Sequence, residues 1–200
     1  MIKAIIFDIG NVICTFDKNL FITKISEYTN KTTQELTVLY EKSNLLDLYQ
    51  VGAISSNVFF ERMTELCNLE IPKEAFIEAF TNIFSPITPT IKLVKKLKKN
   101  YKLGLSSDTN EWTFEYLIKH IEILNLFEAV SLSFKVKARK PDPKIYYDCL
   151  QKLKLKPHEC VFIDDKKENA DKATELGMFG IHYTSHNQLL KSLKSFGVKF

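Results

Sequence analysis

Short, mostly apolar and β-branched runs recur along the chain and alternate with stretches of helical period. Ile2–Phe7 opens the chain and reads as a strand buried on both faces, as in a parallel sheet. Tyr101–Leu105, Ala129–Leu132, Cys160–Ile163 and Phe179–Tyr183 repeat the pattern much later. Between them, Thr90–Lys99 places Ile91, Val94 and Leu97 on one face and most of its lysines elsewhere. Glu111–Ile123, Pro143–Leu153, Lys166–Leu176 and Asn187–Phe196 behave likewise, and Gly177 suits a helix stop. Strand alternating with helix predicts an α/β fold with parallel strands and right-handed crossovers.

The stretch from Phe16 to Phe84 breaks the alternation and holds no good strand candidate. Leu20–Tyr28, Thr33–Tyr40, Ser56–Cys67 and Lys73–Ile83 each have a helical pattern. Thr32 with Glu35 fits a capping box, and Pro72 suits a first helical turn. Pro86 and Pro89 mark the return to the sheet. The expected division is a core of residues 1–15 and 86–200, interrupted by a small helical insertion at 16–85.

Composition narrows the class. Of 200 residues, 45% are hydrophobic and 26% charged, the balance of an ordinary soluble globular protein, and six Gly and six Pro exclude low-complexity readings. A net charge of +4, without a basic stripe, gives no case for nucleic acid. Lys95–Lys99 and Lys152–Lys156 are read as solvated faces. Cys14, Cys67, Cys149 and Cys160 form no CxxC pair and are expected to be reduced and buried. The apolar run Ala4–Phe7 is too short for a signal peptide, and no run approaches a membrane span, so a cytoplasmic protein is expected. Without coiled-coil heptads a monomer is the expectation. The histidines lack HExxH spacing, no GxG or Walker motif occurs, and Asp108 stands where a serine nucleophile elbow needs glycine.

The strand ends carry the chemistry. Ligands of open α/β sheets bind at the carboxyl ends of the strands. Asp8 follows the first run, and Leu105-Ser106-Ser107-Asp108-Thr109-Asn110 closes the second ahead of a helix N-terminus. The third run is followed by Arg139-Lys140-Pro141-Asp142-Pro143, and the fourth ends in Asp164-Asp165. Each piece alone has an ordinary reading: a turn or cap aspartate, an N-cap, a surface lysine, a cap beside a solvated Asp. Together they supply a nucleophile, a hydroxyl donor, a compact cation and a carboxylate pair suited to a hard metal ion. That set is what phosphoryl transfer requires.

Nearly the whole chain resembles the haloacid dehalogenase superfamily, most of whose members are Mg²⁺-dependent phosphatases. Phe7-Asp8-Ile9-Gly10-Asn11-Val12 looks like its first motif, Ser107 like its second, and Lys140 in Lys140-Pro141-Asp142-Pro143 like its third. Phe162-Ile163-Asp164-Asp165, with Asn169 downstream, looks like its fourth. The resemblance implies a Rossmann-like core with a C1-type helical cap. The Asp-Ile-Gly-Asn-Val form is similar to a subgroup containing sugar-phosphate phosphatases, including those acting on glucose 1-phosphate. It implies Asp8 as nucleophile, forming an aspartyl-phosphate, with Ser107 and Lys140 on the phosphoryl oxygens. Mg²⁺ is implied at Asp8, the Gly10 carbonyl and Asp165, with Asp164 a ligand or holding a metal-bound water. Asn11, Asp17, Ser107, Asp108 and Lys140 are the expected substrate contacts. The expected partner is a small-molecule phosphate ester, with neither nucleic acid nor membrane.

Two positions depart from the family pattern. Gly10 stands where most family phosphatases carry a second Asp that protonates the leaving group, help typically worth ~10²–10⁴ in rate. Asp17, at the entrance to the insertion, is the first candidate to replace it; a leaving group of low pKa, such as an anomeric phosphate, needs less help. Asp108 replaces a common Asn and is expected to point away and cap the helix near Thr109. Two alternatives stand beside the phosphatase: a metal-independent 2-haloacid dehalogenase, disfavoured by the Asp164-Asp165 pair, and a non-catalytic phosphate- or Mg²⁺-binding module.

Overall fold

The computed structural model describes residues 1–200. Its strands are β1 (Ala4–Phe7), β2 (Cys14–Phe16), β3 (Phe84–Pro86), β4 (Lys102–Ser107), β5 (Ala129–Leu132), β6 (Cys160–Asp164) and β7 (Phe179–His182). Its helices are α1 (Lys18–Ser26), α2 (Thr33–Lys42), α3 (Leu45–Gln50), α4 (Ser56–Cys67), α5 (Lys73–Thr81), α6 (Thr88–Leu97), α7 (Glu111–Tyr116), α8 (Ser133–Val136), α9 (Pro143–Leu153), α10 (Lys167–Glu175) and α11 (His186–Ser195).

A five-stranded sheet runs in the order β5-β4-β1-β6-β7, every neighbouring pair parallel. β1 is central and wholly buried, which is why its sequence has no polar face. Its side chains alternate between two cores, following the two-residue strand period. Ile5 and Phe7 pack with Val94 and Leu97 of α6 and Leu189 and Leu193 of α11. Ala4 and Ile6 pack with Ile145 and Cys149 of α9 and Ala173 of α10. Gly180 admits the close approach of α10 to β7: a Cβ there would stand 2.1 Å from the Ala170 carbonyl oxygen.

The chain leaves the sheet through β2 and returns through β3, and these two short strands pair antiparallel. Helices α1–α5 lie between them and pack around their own aromatic core, in which Phe21, Phe59, Phe76 and Phe80 are buried. One residue of that core comes from outside the segment: Trp112 of α7. The Thr32–Glu35 capping box is formed as its spacing predicts.

Three local readings are corrected. The segment between Phe16 and Phe84 does touch strand structure at its ends, because three-residue strands are too short to show a periodicity. The six-residue α3 falls below the length at which helical period is legible. The helix expected over Glu111–Ile123 ends at Tyr116 and gives way to a 3₁₀ turn at Ile118–His120. Ile118 and Ile123 are buried against the sheet, and reaching it requires the chain to leave the helical path.

Candidate active site

The central position of β1 brings three strand ends and one loop together. Asp8 follows β1, Ser107 ends β4, and Asp164 ends β6. The loop before α9 swings Lys140 in between them. Lys140 Nζ lies 2.8 Å from Asp8 Oδ1 and 2.6 Å from Asp164 Oδ2, and donates to the Ser106 carbonyl at 3.1 Å. All three side chains are buried. Such an arrangement stands only if nearly every polar atom is held, since an unpaired buried charge is costly. Asp164 meets that requirement: its other oxygen accepts from Lys166 N and from Asn169 Nδ2, both at 2.9 Å. Asn169 is fixed in turn by Tyr146, whose hydroxyl donates to its carbonyl at 3.0 Å.

Carboxylates outnumber cations here. Ligand oxygens of Asp8, Asp164 and Asp165 all lie within 4.8 Å of one another, with the single Lys140 ammonium among them. The Asp8 carboxyl is pushed up to about 7, by burial first; Asp164 adds to the shift, against the opposing pull of Lys140. Burial works to lower the Lys140 ammonium, but Asp8, Asp164 and Asp108 outweigh it and hold its pKa above the ordinary lysine value. Hard oxygen donors with excess negative charge are the donor set that suits a small divalent cation.

The other expected contacts are placed as follows. Ser107 is buried and lines the cavity above Asp8. Asn11 lines it too, in the left-handed region at φ 53°, which Asn tolerates better than most residues. Its amide is committed to Asp165 Oδ2 at 2.8 Å, so it orients a carboxylate. Asp108 does not cap the following helix; Asn110 does, accepting from Thr113 N. Asp108 instead faces the cavity and accepts from the Lys140 backbone N–H at 3.0 Å, which fixes the lysine loop. Asp17 is exposed and caps α1 by accepting from Asn19 N at 2.9 Å. It is not part of the cavity wall: an Asp just before a helix is captured by the free N–H groups of the first turn.

The cavity encloses about 310 Å³ between the strand ends and the helical layer. Its far wall takes aromatic surface from Phe80 and Phe84, and from Phe16 and Tyr40, which sequence reasoning missed. The pairing of Arg139, beside Lys140, with Asp47 of α3 was missed too. The adjacency of Arg139 to Lys140 was a signal; Asp47 offered none, because its distance from Arg139 is closed only by the fold.

Residues 5–182 match the haloacid dehalogenase-like hydrolase family. The chain is 23% identical over 184 residues to the D-ribitol-5-phosphate phosphatase of Bacteroides thetaiotaomicron, covering 88% of this chain and 89% of that protein. It is 27% identical to a pyrimidine 5′-nucleotidase of Escherichia coli, covering 71% and 67%. A haloacid dehalogenase family enzyme of Bacteroides thetaiotaomicron, solved in complex with magnesium and inorganic phosphate, superposes with a TM-score of 0.78 at 23% identity, covering 89% and 92%. The L-2-haloacid dehalogenase of Xanthobacter autotrophicus superposes with a TM-score of 0.65 at 18% identity, covering 100% and 85%. At such identities these likenesses show a shared fold.

Proposed function

Because this chain belongs to the haloacid dehalogenase-like hydrolase family, we propose that it is a Mg²⁺-dependent phosphatase of a small-molecule phosphomonoester, a sugar phosphate, acting through an aspartyl-phosphate on Asp8. The observation that carries this reading is the Asp8–Lys140–Asp164 arrangement with Asp165 beside it. The phosphatases among the relatives and the magnesium and phosphate of the Bacteroides structure support it. Helices α1–α5 are read as a cap over the site, within residues 16–85.

Asp8, Asp165 and the Gly10 carbonyl are the groups that would hold Mg²⁺. Both oxygens of Asp164 already accept protein donors, which favours Asp164 acting through a water. The cation would offset the carboxylate charge and draw electron density from the phosphoryl oxygens. Asp8 attacks phosphorus as the ester bond breaks, and the leaving oxygen takes the electron pair. Water then attacks the phosphorus and the electron pair returns to the Asp8 carboxylate. Lys140 and Ser107 bind phosphoryl oxygens, and Lys140 keeps Asp8 ionised when substrate charge arrives.

Hydrolysis of nitrophenyl phosphate with Mg²⁺, and again with excess chelator, tests this reading. Turnover lost to chelator and reduced at least about 10³-fold in Asp8→Asn is the expected result. Turnover retained in folded Asp8→Asn would overturn it, as would halide release from a 2-haloacid that ignores chelator.

A further inference from the structure

The cavity wall holds two kinds of polar group: those committed to a protein partner and those left free to meet a ligand. In the helical layer, Lys18 pairs with Glu41 and Asp47 with Arg139. Gln50, the last residue of α3, is half-buried on the same wall. Its carbonyl accepts from the Ser133 hydroxyl at 2.6 Å, while its side-chain amide has no protein partner. From the sheet side Asn110 also lines the cavity, and it is only 3% exposed. Its Oδ1 caps α7 by accepting from Thr113 N at 3.0 Å. A backbone N–H is met by the oxygen end of an amide, so the NH₂ group of this buried side chain is left without a protein partner.

One hydroxyl holds the two amides in register. Ser133 Oγ, at the start of α8, meets the Gln50 carbonyl and accepts from Thr109 N at 2.8 Å; Thr109 is the residue before Asn110. The end of α3 is fixed a second time by Tyr49, whose hydroxyl accepts from Trp112 N at 3.1 Å. Gln50 belongs to the helical layer but is thus tied to the sheet side. A group fixed before its ligand arrives loses little freedom on binding it. Beside Asp8, by contrast, the Phe16 ring bounds the space next to residue 10. A Cβ on Gly10 would stand 3.8 Å from Asp8 Oδ2 and 3.4 Å from Phe16 Cε1. That ring offers packing, and hydrogen bonds to the carbon chain of an ester are left to other parts of the wall.

We propose that Gln50 and Asn110 are specificity-determining residues of this site, and that their amides bind hydroxyls of an uncharged polyol chain carrying the phosphate. The inference rests on the phosphatase reading above and says which part of a sugar phosphate the site reads, and with which atoms. A hydroxyl accepts from an NH₂ group and donates to a carbonyl oxygen; Gln50 offers both, and Asn110 the donor. An alkyl chain would leave both amides unpaired in an enclosed site. A second anionic group on the chain would approach a wall that already carries the Asp47 and Asp108 carboxylates. The cation on the wall without a side-chain partner, Lys166, is exposed, so water satisfies it.

The test compares kcat/KM, with Mg²⁺ present, for sorbitol 6-phosphate, gluconate 6-phosphate and hexyl phosphate. These six-carbon chains bear neutral hydroxyls, hydroxyls with a carboxylate, and no hydroxyls. The sorbitol ester should lead the hexyl ester by at least about tenfold, and should match or exceed the gluconate ester. Gln50→Leu, of comparable size, should lower the sorbitol-to-hexyl ratio about threefold or more, through KM. Asn110→Ser, which keeps a capping oxygen for α7, should do the same. A ratio below tenfold in the unaltered protein overturns the inference, as does a ratio that either folded variant leaves unchanged. A gluconate ester that leads also overturns it, and loss of that lead in Lys166→Met would assign the selectivity to the lysine. In each of these cases nitrophenyl phosphate is still hydrolysed and the phosphatase reading stands. Absence of turnover for every ester, nitrophenyl phosphate included, overturns that reading and this inference with it.

Discussion

The two walls of the cavity are stabilised by different means. On the sheet side, Asp8, Lys140 and Asp164 are buried charges, each fixed by partners from a strand end, the lysine loop or the start of α10. On the helical side the polar groups are partly exposed: Lys18 pairs with Glu41, and Asp47 reaches across to Arg139 of the lysine loop. The mass of that side is aromatic packing: Phe59 and Phe76 pack around Phe80, and Trp112 enters from the sheet side. Charges buried in this way tolerate almost no displacement, because a partner withdrawn leaves an unpaired ion. Aromatic surface leaves no unpaired ion when it changes, so what it loses is packing. The sheet side is thus suited to fixed chemistry, and the helical side to selecting what is presented to it.

The sharpest break of this contrast is Lys140→Met. It leaves Asp8 and Asp164 without their cation, and should cost about 3–5 kcal/mol in the metal-free protein. It should also lower kcat by ~10²–10³, both read from urea unfolding and steady-state turnover. Lys140→Arg should fail to restore activity, since the enclosed site is built for a compact ammonium rather than a planar fork. On the helical side, Trp112→Ala should cost about 3–5 kcal/mol through the cavity it leaves. Its backbone N–H also donates to the Tyr49 hydroxyl at 3.1 Å, and that bond survives the substitution. Circular dichroism is the readout, because Trp112 is the sole tryptophan. A loss below 1 kcal/mol would mean that the helical layer does not depend on this wedge.

Smaller effects follow from charge. The folded-state pKa of Asp8 is raised from 3.8 to about 7, so the native state holds this proton more tightly than the unfolded chain does. The resulting stabilisation is fully present below pH 3.8 and is lost as pH rises through about 7. In chelator, the urea midpoint should therefore decline over that window, and Asp8→Asn should flatten the decline. Asp47→Asn is the mildest change. Its pair with Arg139 has side chains 65% and 25% exposed, so less than about 1 kcal/mol is expected from urea unfolding. A larger loss would place a structural charge on the helical side as well and weaken the contrast between the two walls.

Asp8, Ser107 and Asp164 were legible because each closes or follows a buried apolar run, where the fold's topology leaves a polar group at the carboxyl end. Lys140 was singled out with its neighbours Arg139 and Pro141, although α8 separates it from β5. The orientation of single side chains was not legible. Asp17 and Asp108 both precede helices, and local sequence does not say which carboxylate a helix terminus captures; the structure gives α1 its cap from Asp17 and α7 its cap from Asn110.

The amino-acid sequence by itself determined the alternation of strand and helix, the position of the helical insertion and the identity of the charged groups at the strand ends. Those follow from local periodicity, from capping and from the requirement that a polar residue end a buried run. The tertiary structure decided which carboxylates share Lys140, that Phe16 bounds the space beside Asp8, and that Trp112 belongs to the aromatic core of the opposite layer. Each of these depends on contacts between residues far apart in the chain, whose pairing is set by the packing of whole elements and leaves no trace in local pattern.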